Sequence, residues 1–183
     1  FRRPTVAGPI EGGRLTFTWP AALAASVRAL AEAEGATPAM VVAASLHALL
    51  ARYTGETDVA LGMPSANRSP REVENLIGFF VNLLVVRTRV DGTGGFRQLV
   101  RDVRARMLAA HEFGEIPFQQ IVDELKPVRR ANRHPLFQVA LAFQNAPGGE
   151  LTLPGLTVAR LDDDQSARFD LEVFLSDHHG TLA

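Results

Sequence analysis

The 183-residue chain carries 19 basic and 20 acidic side chains and no cysteine, a formal net charge of -1. That balance excludes the basic surplus of a dedicated nucleic-acid binder, and the missing thiols exclude disulfide scaffolds, thiolate metal sites and a cysteine nucleophile. No apolar run approaches the ~20 residues of a membrane helix and the sequence contains no signal- or transit-peptide pattern, so the expectation is a soluble cytoplasmic domain cut from a longer polypeptide.

In chain order, Arg14 to Trp19 alternates polar and apolar residues and predicts a short strand. Pro20 suits a first helical turn, Leu23, Val27 and Leu30 follow at helical spacing, and Gly35 stops the run. Thr37-Pro38 pairs an N-cap with a proline at the first helical position. The helix it opens runs to about Tyr53 and is apolar on nearly every side, which predicts burial in a core or at an interface. Its His47 is a hydrogen-bonded core residue or, on the alternative reading, a catalytic one.

Asp58 to Met63 predicts a buried strand, and Pro64 to Pro70 a loop by composition. Ile77 to Val90 predicts a long strand, buried at its start and half-exposed at its end. Gly92, Gly94 and Gly95 mark a turn. Phe96 to His111 is amphipathic, with Phe96, Leu99, Val100, Val103 and Met107 inward and Arg97, Arg101 and Arg104 on a solvated face. Pro117 opens a short helix with Phe118, Ile121, Val122 and Leu125 inward. Leu136–Gln144, Leu156–Leu161 and Phe169–Ser176 predict three closing strands. The pattern is α+β: one mixed β-sheet flanked by α-helices, without repeats or an interdomain linker.

Several chemical motifs fail on inspection. Gly92-x-Gly94-Gly95 lacks the lysine and serine of a phosphate loop. His178-His179 beside Asp177, and the run Asp162 to Asp164, have the residue types of an acid–base or cation site but read as solvated surface. Ser65 and Ser69 lack a nucleophile's strand-to-helix elbow. Arginine outnumbers lysine eighteen to one (Lys126 alone), which fits either anion contacts or a GC-rich coding bias; the scatter of the arginines favours the second.

Four ordered segments carry a more specific signal. Ile77-Gly78-Phe79-Phe80-Val81-Asn82 resembles a core motif of nonribosomal peptide synthetase condensation domains, and Gly62-Met63-Pro64-Ser65-Ala66-Asn67-Arg68 resembles the family's G-x-P-x-A-N-R stretch. Glu115-Ile116-Pro117-Phe118 resembles its Pro-Phe helix start. Arg129 to Leu136, with Arg133 and Pro135, running into Phe137-Gln138-Val139, resembles its R-x-x-S-R-x-P-L-F-Q-V motif. Phe143-Gln144-Asn145, Leu153 to Leu156 and Phe169-Asp170-Leu171 fall in the expected relative places.

The resemblance implies one lobe of a chloramphenicol-acetyltransferase-like two-lobed domain, spanning 1–183. Between such lobes an acceptor amine attacks a donor acyl thioester, both on phosphopantetheine arms of carrier proteins. The family's H-H-x-x-x-D-G lies on the N-terminal lobe and is not in this chain; His178-His179-Gly180-Thr181 lacks its Asp-Gly. The implied reading is therefore the C-terminal lobe alone, with no catalytic residue, metal or directly bound cofactor. Its implied partners are the N-terminal lobe, donor and acceptor peptidyl carrier proteins and an adjacent adenylation domain, with no nucleic acid or membrane.

The resemblance further assigns Asn67, Arg68, Gly78 and Asn82 to the substrate-channel floor. Asn82, polar within an apolar run, needs a hydrogen-bond partner if buried; it bonds neighbouring backbone or orients substrate. Phe113-Gly114-Glu115 and Asn132 depart from the family pattern. The alternative functions are a degenerate, noncatalytic recruitment platform, or a stand-alone ligand-binding domain that grips an anion through Arg68.

Overall fold

The computed structural model describes residues 12–67, 76–128, 133–144, 153, 155–156, 158, 168–178 and 181–182. The helical layer begins with α1 (Ala21–Ala33), which starts on Pro20 and ends at Gly35, where φ is +58°. Helix α2 (Pro38–Thr54) starts as its sequence predicts: Met40 N–H donates to the Thr37 hydroxyl (3.3 Å), and proline occupies the position whose N–H would be unpaired anyway. It closes on Gly55 in the left-handed region.

Strands β1 (Asp58–Ser65) and β2 (Asn82–Arg89) form an antiparallel ladder from Asp58↔Arg89 to Ser65↔Asn82. After α3 (Gly95–Glu112) and α4 (Phe118–Leu125), β3 (Val139–Gln144) runs parallel to β1, β4 (Leu171–His178) parallel to β3, and β5 (Thr181–Leu182) antiparallel to β4. The strand order β2-β1-β3-β4-β5 is a single mixed sheet, as expected. Alternation along the strands sends Leu61, Met63, Val86, Leu141 and Leu175 into one core with α1, α2 and α3. His47 lies in that core, fully buried between α2 and the sheet.

Several expectations fail, among them Phe96, expected to face inward on α3 and in fact exposed. Residues 14–19 do not form a ladder strand: among the described residues only Trp19 N–H reaches a strand, at Leu182 C=O, and Leu15 and Phe17 face water. The β2 ladder starts at Asn82, opposite Ser65 at the end of β1, instead of at Ile77, and Ile77 and Phe79 are exposed, not buried. Leu156 sits in a turn bonded to Leu153, and the rest of the expected strand at 156–161 lies largely outside the described residues. Leu125 is exposed, since Lys126 turns left-handed and ends α4 there. Part of α2 is also open to solvent, at Leu49 and Tyr53.

The arginine face of α3 is a binding face and not merely a solvated one. Arg97 and Arg101 each reach Glu34 at 2.7 Å, and Arg104 donates to Gly35 C=O at 2.7 Å, so α3 holds the α1–α2 turn. The two guanidiniums, Arg101 foremost, hold the Glu34 carboxyl below its usual range.

Candidate functional site at the end of the sheet

The motif segments meet where β1 ends and β2 begins. Gly62 lies on the face of β1 opposite the helices, and a Cβ there would overlap the Phe137 ring. Only glycine lets that ring lie on the strand. Phe137 is fully buried and belongs to an aromatic cluster with Phe118, His134 and Phe169. His134 stacks on Phe118 at 5.1 Å and meets Phe169 edge-on at 5.1 Å. Four segments far apart in sequence are thus locked together by one set of rings. Burial pushes the His134 imidazole below its ordinary pKa, and its Nδ1 finds no hydrogen-bond partner among the described residues.

Of the two alternatives for Asn82, the structure shows the backbone one formed. Its Nδ2 donates to Gly114 C=O and to Ile116 C=O, both at 2.7 Å, while its Oδ1 accepts from Phe118 N–H at 3.1 Å. The side chain bonds neighbouring backbone. It caps α4, whose preceding residue Pro117 has no side-chain oxygen to do so.

Asn67 takes a left-handed conformation (φ +49°), tolerable for asparagine, and donates its N–H to the Ser65 hydroxyl at 3.3 Å. Gly78 lies against Phe80: a Cβ would stand 2.8 Å from that ring. Phe80 is half-buried, whereas Phe79 is 91% exposed and does not pack. With Ile77 and Val81 it makes an apolar strip alternating with Gly78, Phe80 and Asn82. Pro117 and Arg133 are exposed, and Pro135 and Leu136 half-buried. Arg68, Arg129, Ser69, Asp162–Asp164 and His179 lie outside the described residues.

A groove of about 220 Å³ opens beside this junction. Its lining is mostly apolar, from Pro64, Phe79, Leu83, Ala140, Ala142 and Phe174, with Arg168 and Glu172 as charged members. Glu172 accepts from the backbone N–H of Arg168 (2.6 Å) and Phe169 (3.3 Å) and shapes the turn into β4. Sequence reasoning missed the roles of His134, Phe137 and Glu172. The available signal was Arg133-His134-Pro135 immediately before an apolar strand, which identifies a packed histidine only once its partners are known.

Among the described residues no single helix is long and apolar enough to cross a membrane. A family model described as the condensation domain matches residues 2–183. The chain is 45% identical over 168 residues to an isonitrile lipopeptide synthase of Mycobacterium tuberculosis, covering 91% of this chain and 7% of that protein. It is 38% identical over 181 residues to a chondramide synthase of Chondromyces crocatus, covering 98% of this chain and 5% of that one. The chain therefore spans a small fraction of these relatives' length. Its fold is similar to that of a four-domain nonribosomal peptide synthetase solved with AMP and glycine (TM-score 0.84, 20% identity, 94% of this chain and 14% of that). It is also similar to the X-domain of teicoplanin biosynthesis (TM-score 0.83, 26% identity, 92% of this chain and 38% of that).

Proposed function

The chain belongs to the condensation-domain family, and on that premise we propose that it is the C-terminal lobe of a condensation domain of a nonribosomal peptide synthetase. Its residues 62–68 and 77–82 form the floor of the channel in which an acceptor aminoacyl amine attacks a donor acyl or peptidyl thioester. Asn67, Arg68, Gly78 and Asn82 belong to that floor, and the groove lined by Ala140 and Ala142 is part of its wall. The observation that carries this reading is the convergence of the separated motif segments on one end of the sheet, through Gly62, Asn82, Phe118, Phe137 and Phe169.

The partners in this reading are an N-terminal lobe carrying H-H-x-x-x-D-G, donor and acceptor peptidyl carrier proteins, and an adenylation domain. The exposed strip of Ile77, Phe79 and Val81 supports a covering lobe, as does the chain's 38% share of the X-domain chain. The substrates arrive on phosphopantetheine arms, so this lobe positions tethered reactants and needs no cofactor of its own. Holding an amine and a thioester in reacting geometry supplies a large part of the acceleration, and tethering raises their effective concentration.

The test uses the full-length protein that carries this chain, with donor and acceptor carriers loaded. Mass spectrometry is expected to show an amide-linked product on the acceptor arm, and this chain alone none above a protein-free control. Absence of product from the full-length protein, or turnover by this chain alone, overturns the reading.

A second reading is a noncatalytic recruitment platform. The observation favouring it is the likeness to the X-domain solved in complex with OxyB (TM-score 0.81, 25% identity, 92% of this chain and 36% of that). No product from the full-length protein, together with stable capture of a separate enzyme, is its expected signature.

A further inference from the structure

We propose that Asn82 is a positioning residue for amide synthesis, acting through the α3–α4 turn and Phe118 and making no contact with substrate. The inference rests on the condensation reading for its reaction and on the geometry of this chain for its mechanism.

An asparagine amide offers two N–H donors and one carbonyl acceptor. In Asn82 both donors go to the turn, at Gly114 C=O and Ile116 C=O, and the carbonyl takes Phe118 N–H. With both of its donors so committed, the side chain has none left for a thioester carbonyl. What it controls is a junction. As the first residue of β2 it pairs with Ser65, the last of β1, so one side chain ties both strand ends to the start of α4. The helix end gains a partner for an otherwise unpaired N–H. Gly114 is buried beside the bond, and Phe118 passes the constraint to His134 and Phe137, whose ring lies on Gly62. Asn82 and Phe169 both line the groove, so a loosened cap displaces the groove's wall and the support beneath it.

The informative substitution is Asn82→Asp. It keeps the shape and the acceptor for Phe118 N–H, but sets a carboxylate oxygen against two carbonyl oxygens, replacing two hydrogen bonds by repulsion. In the full-length protein, kcat for amide formation is expected to fall about a hundredfold, the scale of a small misplacement of reacting groups, with KM for both loaded carriers unchanged. In the same protein, hydrogen exchange at the backbone amides of 114–118 is expected to accelerate. Phe118→Leu, which keeps Asn82 but loosens what it holds, is expected to reproduce the kcat loss. The double variant is expected to be little worse than either single one, because the two act on one junction.

A raised KM with unchanged exchange would mean that Asn82 touches substrate, and overturns the proposal. So does an unchanged kcat. If Asn82→Asp does not fold, Phe118→Leu with unchanged kcat overturns it equally. A wild-type protein that makes no amide overturns the condensation reading itself, and the positioning role of Asn82 in that reaction with it. The exchange comparison needs no turnover and separately decides whether Asn82 holds the turn.

Discussion

The ring of Phe137 occupies the space where Gly62 would carry a side chain. Two motif segments with β2, α3 and α4 between them in the chain are complementary at this contact, one supplying a ring and the other its absence of a β-carbon. A methyl group there must displace a buried ring whose other sides are held by Phe118, His134 and Phe169.

Gly62→Ala is therefore expected to destabilise the chain by ~1–3 kcal/mol, the range of overpacked cores. Phe137→Ala is expected to cost ~3–5 kcal/mol through the cavity it leaves. Urea unfolding checks both. The double variant is expected to lose less than the sum, since the space vacated by the ring accepts the methyl group. Strict additivity would place the two residues out of contact.

Acid is expected to weaken the fold in two stages. Burial holds the His47 imidazole below its ordinary pKa, against the opposing effect of nearby backbone carbonyls. Both ring nitrogens face carbonyl oxygens, Ala43 at 2.8 Å and Val86 at 3.3 Å, and a neutral ring has one N–H between them. The unfolded chain takes up this proton first. Stability is thus full above the unfolded value of ~6.5 and falls as pH drops below it, by at most ~1.4 kcal/mol per pH unit, until the folded ring protonates. Glu34 adds a lower stage: its depressed carboxyl contributes above its ordinary value of 4.5, and that contribution is lost as pH falls through the folded value. His47→Gln is expected to flatten the first stage of a melting-temperature profile against pH, and Glu34→Gln the second. Unchanged profiles would refute the assignment.

An uncovered strip predicts self-association. Ile77, Phe79 and Val81 project outward from one extended segment, and contiguous exposed apolar surface favours contact between copies. Light scattering on this chain is expected to show oligomers that grow with concentration, and Phe79→Ser to reduce them. A clean monomer at high concentration would argue against a covering lobe.

Arg68 offers a comparison between this chain and the full-length protein. By resemblance it pairs with the aspartate of H-H-x-x-x-D-G across the lobes. In this chain alone Arg68→Ala is then expected to move stability by no more than ~1 kcal/mol, as for exposed charges. In the full-length protein it is expected to cost ~3–5 kcal/mol, because a buried carboxylate is stranded. Equal losses in the two would assign Arg68 a role within this lobe.

Local signals were legible wherever one residue decides its own backbone. Thr37-Pro38 started α2 and Gly35 closed α1, and the apolar spacing of Leu99, Val100, Val103 and Met107 gave the buried face of α3, though Phe96, expected there too, is exposed. Pairing was less legible, because a strand needs a neighbour as well as a pattern. Leu15 and Phe17 alternate properly but meet no ladder, and Ile77 to Val81 outruns the end of β1. At the site, the motif residues were legible as a set and their contacts were not. Nothing local in Asn82 shows that it reaches Gly114, Ile116 and Phe118, and nothing in Glu34 shows two arginines arriving from α3.

The parallel pairing of Leu61 with Val139 has a kinetic consequence. Strands β1 and β2 close as neighbours in the chain, but β3 joins β1 only after β2, α3 and α4 have been made. Non-local pairing of this kind slows folding, since the loop must close before its contacts reward it. During synthesis β1 accordingly waits with one edge open, while its apolar side chains can already dock on α2. The edge left open meanwhile is that of β1, Asp58–Ser65, of which β3 later pairs Leu61 and Gly62. Pro64, which has no N–H to offer a foreign strand, blunts the rest.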